Sequence, residues 1–375
     1  MPILTPLSRT SGYKGSVASV RLRRALAALL PLGLAALVAV AAVDGAGSST
    51  RSGDTQPRAR SFDGAAGTAS VNRFALDAVS WRGGPIVTST GETVNVLVSE
   101  TYTPETVTPE GWAEFLAQTV HGPEISLLTT YIAPLAEVQG LCGARALGCY
   151  TGNRMVSIGE AAVDGTSPEE VVRHEYGHHV AFHRLNTPWR AVDWGPKNWA
   201  SAATVCSRVS RQEAFPGDEG RNYAQNPGEA WAEVYRLMDE RKAGITTGSW
   251  QIIAPSFYPD EAALQAAERD VLQPWTAPRR IVSRRTLETT MKKVWWITLQ
   301  TPLDGELAVT ALLPRNGVHE VALLGANRTT VLKRAQWTGQ RVKRMALTVC
   351  GQRSLFLRVT AKGAVGRVTV VASAP

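Results

Sequence analysis

Near residue 279 of the 375-residue chain the apolar period changes, and no single layer arrangement buries both patterns. Before that point helical spacing alternates with short strand-like runs. Thr93-Val94-Asn95-Val96-Leu97-Val98 and Arg154-Met155-Val156-Ser157-Ile158 read as strands. Pro109 to Thr119, with Trp112, Phe115 and Leu116 on one face, reads as a helix, and a second helix is expected from Pro123-Glu124. After 279 only alternating runs remain: Val294 to Leu299, Glu306 to Leu313, Glu320 to Leu324 and Ser354 to Val359. Turn pairs such as Asp304-Gly305 and Asn316-Gly317 separate them. The expected fold class is α+β over 72–278, followed by an all-β sandwich over 279–375.

Charge divides at the same place. Residues 1–43 hold five Arg and Lys and no acid, 44–278 hold 18 basic and 28 acidic side chains, and 279–375 hold 17 basic and 4 acidic. The net charge of +8 therefore joins a part at −10 to a part at +13. The acidic part repels phosphate, so a nucleic-acid partner is not expected. The basic segment reads as a solvated face, as a surface that adheres to an anionic cell-envelope polymer, or as one that docks on the acidic part of the chain.

Arg21, Arg23 and Arg24 precede an uncharged, largely apolar run from Ala25 to Val43, the layout of an export signal. Ala39-Val40-Ala41 offers a small-x-small cleavage site, yet a run of this length also reaches across a bilayer at about 1.5 Å per residue. Residues 1–43 are thus expected to be a signal peptide or a signal-anchor, with 25–43 as the membrane anchor in the second case. Residues 44–71, rich in Gly, Ser, Ala, Thr and Arg, read as a flexible linker, with structure beginning near Phe74. Four cysteines fit an oxidising, extracytoplasmic setting. Cys142 and Cys149 are close enough to staple one loop; Cys206 and Cys350 are then partners across the two domains or free thiols.

The chemistry concentrates in one helix. Ser167-Pro168-Glu169-Glu170 is a capping box with proline in the first turn. The helix it opens carries His174-Glu175-Tyr176-Gly177-His178. Positions i and i+4 differ by about 40° around the axis, so His174 and His178 project from one face and can bind one metal ion. Glu175, one step round, is placed to take a proton from a metal-activated water. His179 and His183 lie about 140° and 180° from His174 and point away, as packing or solvent-facing residues. The pattern does not resemble that of the metzincin family, which implies Gly at 181 and a third ligand His at 184, because Ala181 and Arg184 stand there.

Two sources of a third ligand remain. Asp193 follows the helix in a Trp-, Gly- and Pro-rich loop. Alternatively, Asn226-Pro227 opens a second helix in which Glu229 and Glu233 share a face, with Ala230, Trp231, Val234 and Leu237 packing it into a core. One carboxylate can then bind the ion while the next orients a ligand histidine.

These residues resemble a gluzincin-type zincin metallopeptidase. The pairing of His-Glu-x-x-His with a later Glu-x-x-x-Glu helix and an upstream Tyr is similar to the family that includes the anthrax lethal factor catalytic domain. The resemblance covers Pro168 to Met238 and implies a zincin-like fold and Zn2+ as cofactor, with His174, His178 and Glu229 as ligands and Glu175 as general base. It further implies Glu233 as support for a ligand histidine, Tyr223 as oxyanion donor, and a peptide or protein substrate added along strand 154–158 as a sheet edge. The interval from Tyr223 to Glu229 is one residue shorter than in that family. Gly177 is expected to let the second helix approach closely, and Tyr176 to pack. The β domain resembles C-terminal sandwich modules of secreted bacterial peptidases, most in Cys350-Gly351 followed by Leu355, Leu357 and Val359. Two other classes stay open: a zinc-binding but catalytically silent envelope protein, and a surface-binding protein without metal.

Overall fold

The computed structural model describes residues 76–246, 248–250, 253–288, 291–339 and 341–375. The expected signal segment over 1–43, the linker over 44–71 and Phe74 lie outside the described residues.

Strands β1 (Trp81–Val87) and β2 (Thr93–Ser99) form an antiparallel hairpin. In β2 the alternation found in the sequence holds: Val94, Val96 and Val98 are fully buried. Helix α1 (Pro109–Gln118), N-capped by Thr108, leads to β3 (Thr129–Ile132), which pairs parallel to β2. The helix expected from Pro123 is only a 3-10 turn, Pro123–Leu127. The β-branched and aromatic run Thr129-Thr130-Tyr131-Ile132 follows at once and pulls the chain into the sheet. Helix α2 (Leu135–Cys142) returns the chain to β4 (Gly148–Thr151) and β5 (Arg154–Ser157).

The sheet order is β1-β2-β3-β5-β4, with β4 antiparallel to β5. This corrects the expectation that strand 154–158 is the edge. Gly152 and Asn153 both have positive φ, +50° and +68°, so the chain reverses in a two-residue turn and folds β4 over the outside of β5. The outer strand is therefore β4. A disulfide joins Cys142, at the end of α2, to Cys149 in β4, the pairing expected from their proximity.

Helix α3 (Pro168–Phe182) packs against β4, β5 and a second long helix. Between them run the short hairpin β6 (Leu185–Asn186) and β7 (Trp189–Arg190), then α4 (Ala191–Trp194), α5 (Lys197–Ala202) and α6 (Val205–Ser210). Helix α7 (Pro227–Lys242) is buried over all but its last two residues, although it carries Glu229, Glu233, Arg236, Asp239 and Glu240. Buried charges of this kind persist only when paired or bound to an ion. Helix α8 (Glu261–Leu272) completes the part whose core runs from Leu76 to Val271.

A second core, from Leu287 to Ala374, belongs to eight antiparallel strands. They are β8 (Arg279–Leu287), β9 (Lys293–Gln300), β10 (Gly305–Leu312), β11 (Val318–Leu324), β12 (Val331–Thr338), β13 (Val342–Val349), β14 (Ser354–Lys362) and β15 (Gly366–Ala374). They form two four-stranded sheets of order β13-β10-β15-β8 and β12-β11-β14-β9. First strand beside last, second beside seventh and third between sixth and eighth is the order of a jelly roll.

One end of this sandwich is tied to α5 and α6. Cys206 and Cys350 form a disulfide, which decides between the two fates the sequence left open. Buried Asp304 donates its backbone N–H to Ser201 Oγ at 2.9 Å and accepts from Arg353 Nη1 at 2.6 Å. Two disulfides point to an oxidising, extracytoplasmic location. Among the described residues no helix is long and apolar enough to cross a membrane.

Candidate metal centre

The site is built by two helix starts. Ser167 and Glu170 form the expected capping box: Ser167 Oγ accepts from the Glu170 N–H at 3.2 Å, and Glu170 Oε2 accepts from the Ser167 N–H at 2.7 Å. Asn226 caps α7, its Oδ1 accepting from the Gly228 N–H at 3.0 Å. Both helices are thereby fixed at their N-termini, and they cross where each carries small residues. A Cβ on Gly177 would stand 2.8 Å from Ala232 Cα, inside contact distance, so this approach requires glycine. Trp231 closes the crossing by donating from Nε1 to the Gly177 carbonyl at 2.7 Å.

That crossing brings His174 and His178 of α3 to Glu229 of α7. His174 Nε2 lies 3.3 Å from Glu229 Oε2, and His178 Nε2 lies 3.5 Å from Glu229 Oε1. One donor atom from each of the three residues fits within 4.8 Å of the others, and all three residues are buried. Ligand atoms about 2.1 Å from a tetrahedral ion stand about 3.4 Å apart, so this separation suits a small divalent cation. Two imidazole nitrogens and a carboxylate oxygen are also a donor set that such ions accept. The cluster can hold a metal.

Its surroundings orient it. His174 Nδ1 lies 3.2 Å from Glu233 Oε2, which turns Nε2 towards Glu229. Arg236 holds Glu233 in turn, donating from Nη2 to Oε1 at 2.6 Å and from Nε to Oε2 at 3.0 Å, and it reaches both oxygens of Glu240 at 2.7 Å. Tyr223, in a 3-10 turn just before the α7 cap, donates its hydroxyl to Glu229 Oε2 at 2.6 Å. Glu175 is fully buried on the same helix, where β4 begins: a Cβ on Gly148 would lie 2.9 Å from Glu175 Oε1.

The electrostatics are those of a charged cluster taken out of water. Burial opposes charge on His174, but hydrogen bonds to Glu229 and Glu233 hold its pKa above the usual value. Burial likewise opposes the Glu229 carboxylate, and the His178 charge with hydrogen bonds to both histidines holds its pKa well below the usual range. Glu233 is lowered too, by His174 and Arg236 against burial. Such a cluster retains protons in the absence of a cation, and a bound metal displaces them.

His174, His178, Tyr223, Glu229 and Glu233 gather at this crossing, and Glu175, next to His174 on α3, lies against Gly148 of β4. Asp193 does not: it pairs with exposed Arg190 at 3.5 Å. His179 is buried rather than solvent-facing. Its Nε2 donates to the Glu124 carbonyl at 2.8 Å and its Nδ1 faces the Tyr150 hydroxyl at 3.0 Å, and burial pushes its pKa down to about 4. His183 Nε2 meets Asn153 Oδ1 at 2.6 Å. Sequence reasoning missed Arg236 and Glu240. Arg236 follows Glu233 at i+3 and Glu240 follows Arg236 at i+4, a spacing visible in the sequence, but an acid–base ladder on a helix ordinarily marks a solvated face.

No family model matches the chain, and no curated protein matches it. Solved structures that match include the Yersinia pseudotuberculosis-derived mitogen, at 13% identity over 26% of this chain and 87% of that one, with a TM-score of 0.21. PirA matches at 13% identity over 27% of this chain and 97% of that one, with a TM-score of 0.19. The disulfide-linked pili of Bacillus endospore appendages match at 6% identity over 26% of this chain and 87% of that one, with a TM-score of 0.18. None of the three is a zincin, and at these TM-scores the likeness carries no argument about the site.

Proposed function

We propose that this chain is an extracytoplasmic zinc metallopeptidase that hydrolyses peptide bonds. The observation that carries the reading is the convergence of His174, His178 and Glu229 into one buried donor set. His174, His178 and Glu229 would supply three protein ligands, the number found in catalytic rather than structural zinc sites. Zinc bound there would acidify a water and polarise the scissile carbonyl.

The chain's own groups supply the rest. Glu175, as general base, accepts a proton from the attacking water and passes it to the leaving amine as the C–N bond breaks. Glu233, fixed by Arg236, holds the His174 ring in its ligand orientation. Tyr223 offers its hydroxyl to the oxyanion in exchange for its hydrogen bond to Glu229. An extended substrate pairs with β4, the outer strand, which runs past Glu175. The zincin-like fold, the signal or anchor at the amino terminus and the peptide or protein substrate all belong to this reading.

Glu175→Gln tests it. Hydrolysis of a generic peptide library should fall about a hundredfold or more while zinc content stays at that of the parent. Undiminished cleavage by Glu175→Gln would sink the assignment.

The full burial of His174 and Glu175 supports a second reading, a catalytically silent zinc-binding envelope protein. Stoichiometric zinc with no cleavage of any library peptide by the parent chain would favour it.

A further inference from the structure

The outer face of the sheet β12-β11-β14-β9 carries a built surface that the metal centre does not use. Along β9 and β14 the odd-numbered residues Ile297, Leu299, Leu355, Leu357 and Val359 fill the sandwich core, so the even-numbered ones face outwards. The registers set Trp296 opposite Arg358, Arg358 opposite Ala322, and Ala322 opposite Arg334. The adjacent row reads Val294, Thr360, Glu320 and Gln336. Small Thr360 lies between Val294 and Glu320, and these rows border a trough of about 830 Å³.

Its lining is cationic. Four cations, Lys292, Arg334, Arg358 and Lys362, stand against one acid, Glu320. Glu320 accepts from Arg358 Nη2 at 2.8 Å and lies 3.7 Å from Arg334 Nε, so both guanidinium groups are held in place. Trp296 is 41% exposed beside them, with Arg358 Cζ 5.8 Å from its ring centroid. An exposed indole offers an apolar plate, the surplus cations attract anions, and Glu320 and Gln336 accept hydrogen bonds from hydroxyls.

We propose that this trough binds a carboxylate-bearing polysaccharide. A sugar ring presents a C–H face to Trp296, its carboxylates meet the Arg and Lys groups, and its hydroxyls donate to Glu320 and Gln336. A neutral glycan leaves the surplus of cations unmatched. A single-stranded nucleic acid wants a run of stacking aromatics and no central carboxylate, whereas this trough offers one exposed indole and Glu320 at its middle. The site is independent of the metal centre and gives the basic segment a defined place of contact with anionic envelope material.

Affinity electrophoresis of the full chain with its disulfides intact tests the proposal, using gels containing polygalacturonate, dextran or oligothymidylate. Salt-sensitive retardation is expected in polygalacturonate and none in dextran. Trp296→Ala should weaken the polygalacturonate interaction about tenfold, the loss of roughly one stacking contact. Arg280→Gln with Arg284→Gln, exposed positions of β8 in the other sheet, should leave it unchanged. If Trp296→Ala does not fold, Lys292→Gln with Lys362→Gln, both exposed, should weaken binding and flatten its salt dependence. Four results each overturn the proposal: no retardation in polygalacturonate, equal retardation in dextran, binding to oligothymidylate as tight as to polygalacturonate, or equal losses from the β8 and trough variants.

Discussion

A histidine can bind a metal through one ring nitrogen only if its other nitrogen has somewhere to go, and at His174 that partner is Glu233 at 3.2 Å. Glu233 is itself held twice by Arg236, so the ring is fixed through two layers of charge. Glu233→Gln should therefore lower zinc affinity about 10- to 100-fold, read by competition with a chromogenic chelator, while Glu175→Gln leaves it unchanged. Equal affinities for Glu233→Gln and the parent would show that the ring needs no such support. A second buried carboxylate makes a pH prediction. Asp270 accepts from the Asn198 and Trp199 N–H groups at 3.1 and 2.7 Å, but burial outweighs these bonds and pushes its pKa up to about 6. Between about pH 4 and 6 the folded chain then binds more protons at this site than the unfolded chain, so stability falls as pH rises through that window. Relative to the parent, Asp270→Asn should gain up to about 3 kcal/mol on going from pH 4 to pH 7, measured by denaturant unfolding. A difference independent of pH would contradict the assignment.

Two helices make the site, and their separation is set by one residue. Gly177 sits against Ala232 with no room for a methyl group, so Gly177→Ala must push α3 and α7 apart. The expected cost is about 1 to 3 kcal/mol, seen as a lowered thermal midpoint, together with weakened metal binding because Glu229 is carried away from both histidines. Loss of stability without loss of metal would mean that the helices give way elsewhere. Most of this arrangement is legible in the sequence. The capping box at Ser167, the Asn226-Pro227 start and the i, i+4 pairs of both helices are local signals, and each proved correct at the level of the element. Sheet order was less legible. The Gly152-Asn153 turn was present in the sequence, but its consequence, β4 outside β5, depends on which strand the hairpin pairs with.

At the scale of the molecule, two cores are joined by Cys206–Cys350 and by the Asp304–Arg353–Ser201 contacts. The disulfide closes a span of 144 residues, so replacing both cysteines with alanine should cost about 2 to 5 kcal/mol, seen in denaturant unfolding. An unchanged midpoint would place the tie in the polar contacts alone. The sequence by itself determined the α+β composition, the change to an all-β unit near 279 and which side chains are candidate metal ligands, because period, caps and ligand spacing are properties of neighbouring residues. Only the tertiary structure decided that Glu229 rather than Asp193 meets the histidines, that Cys206 finds Cys350, and that the charges of α7 are buried. Those facts depend on how distant segments pack, and packing is set by shape and desolvation across the whole core rather than by any local pattern.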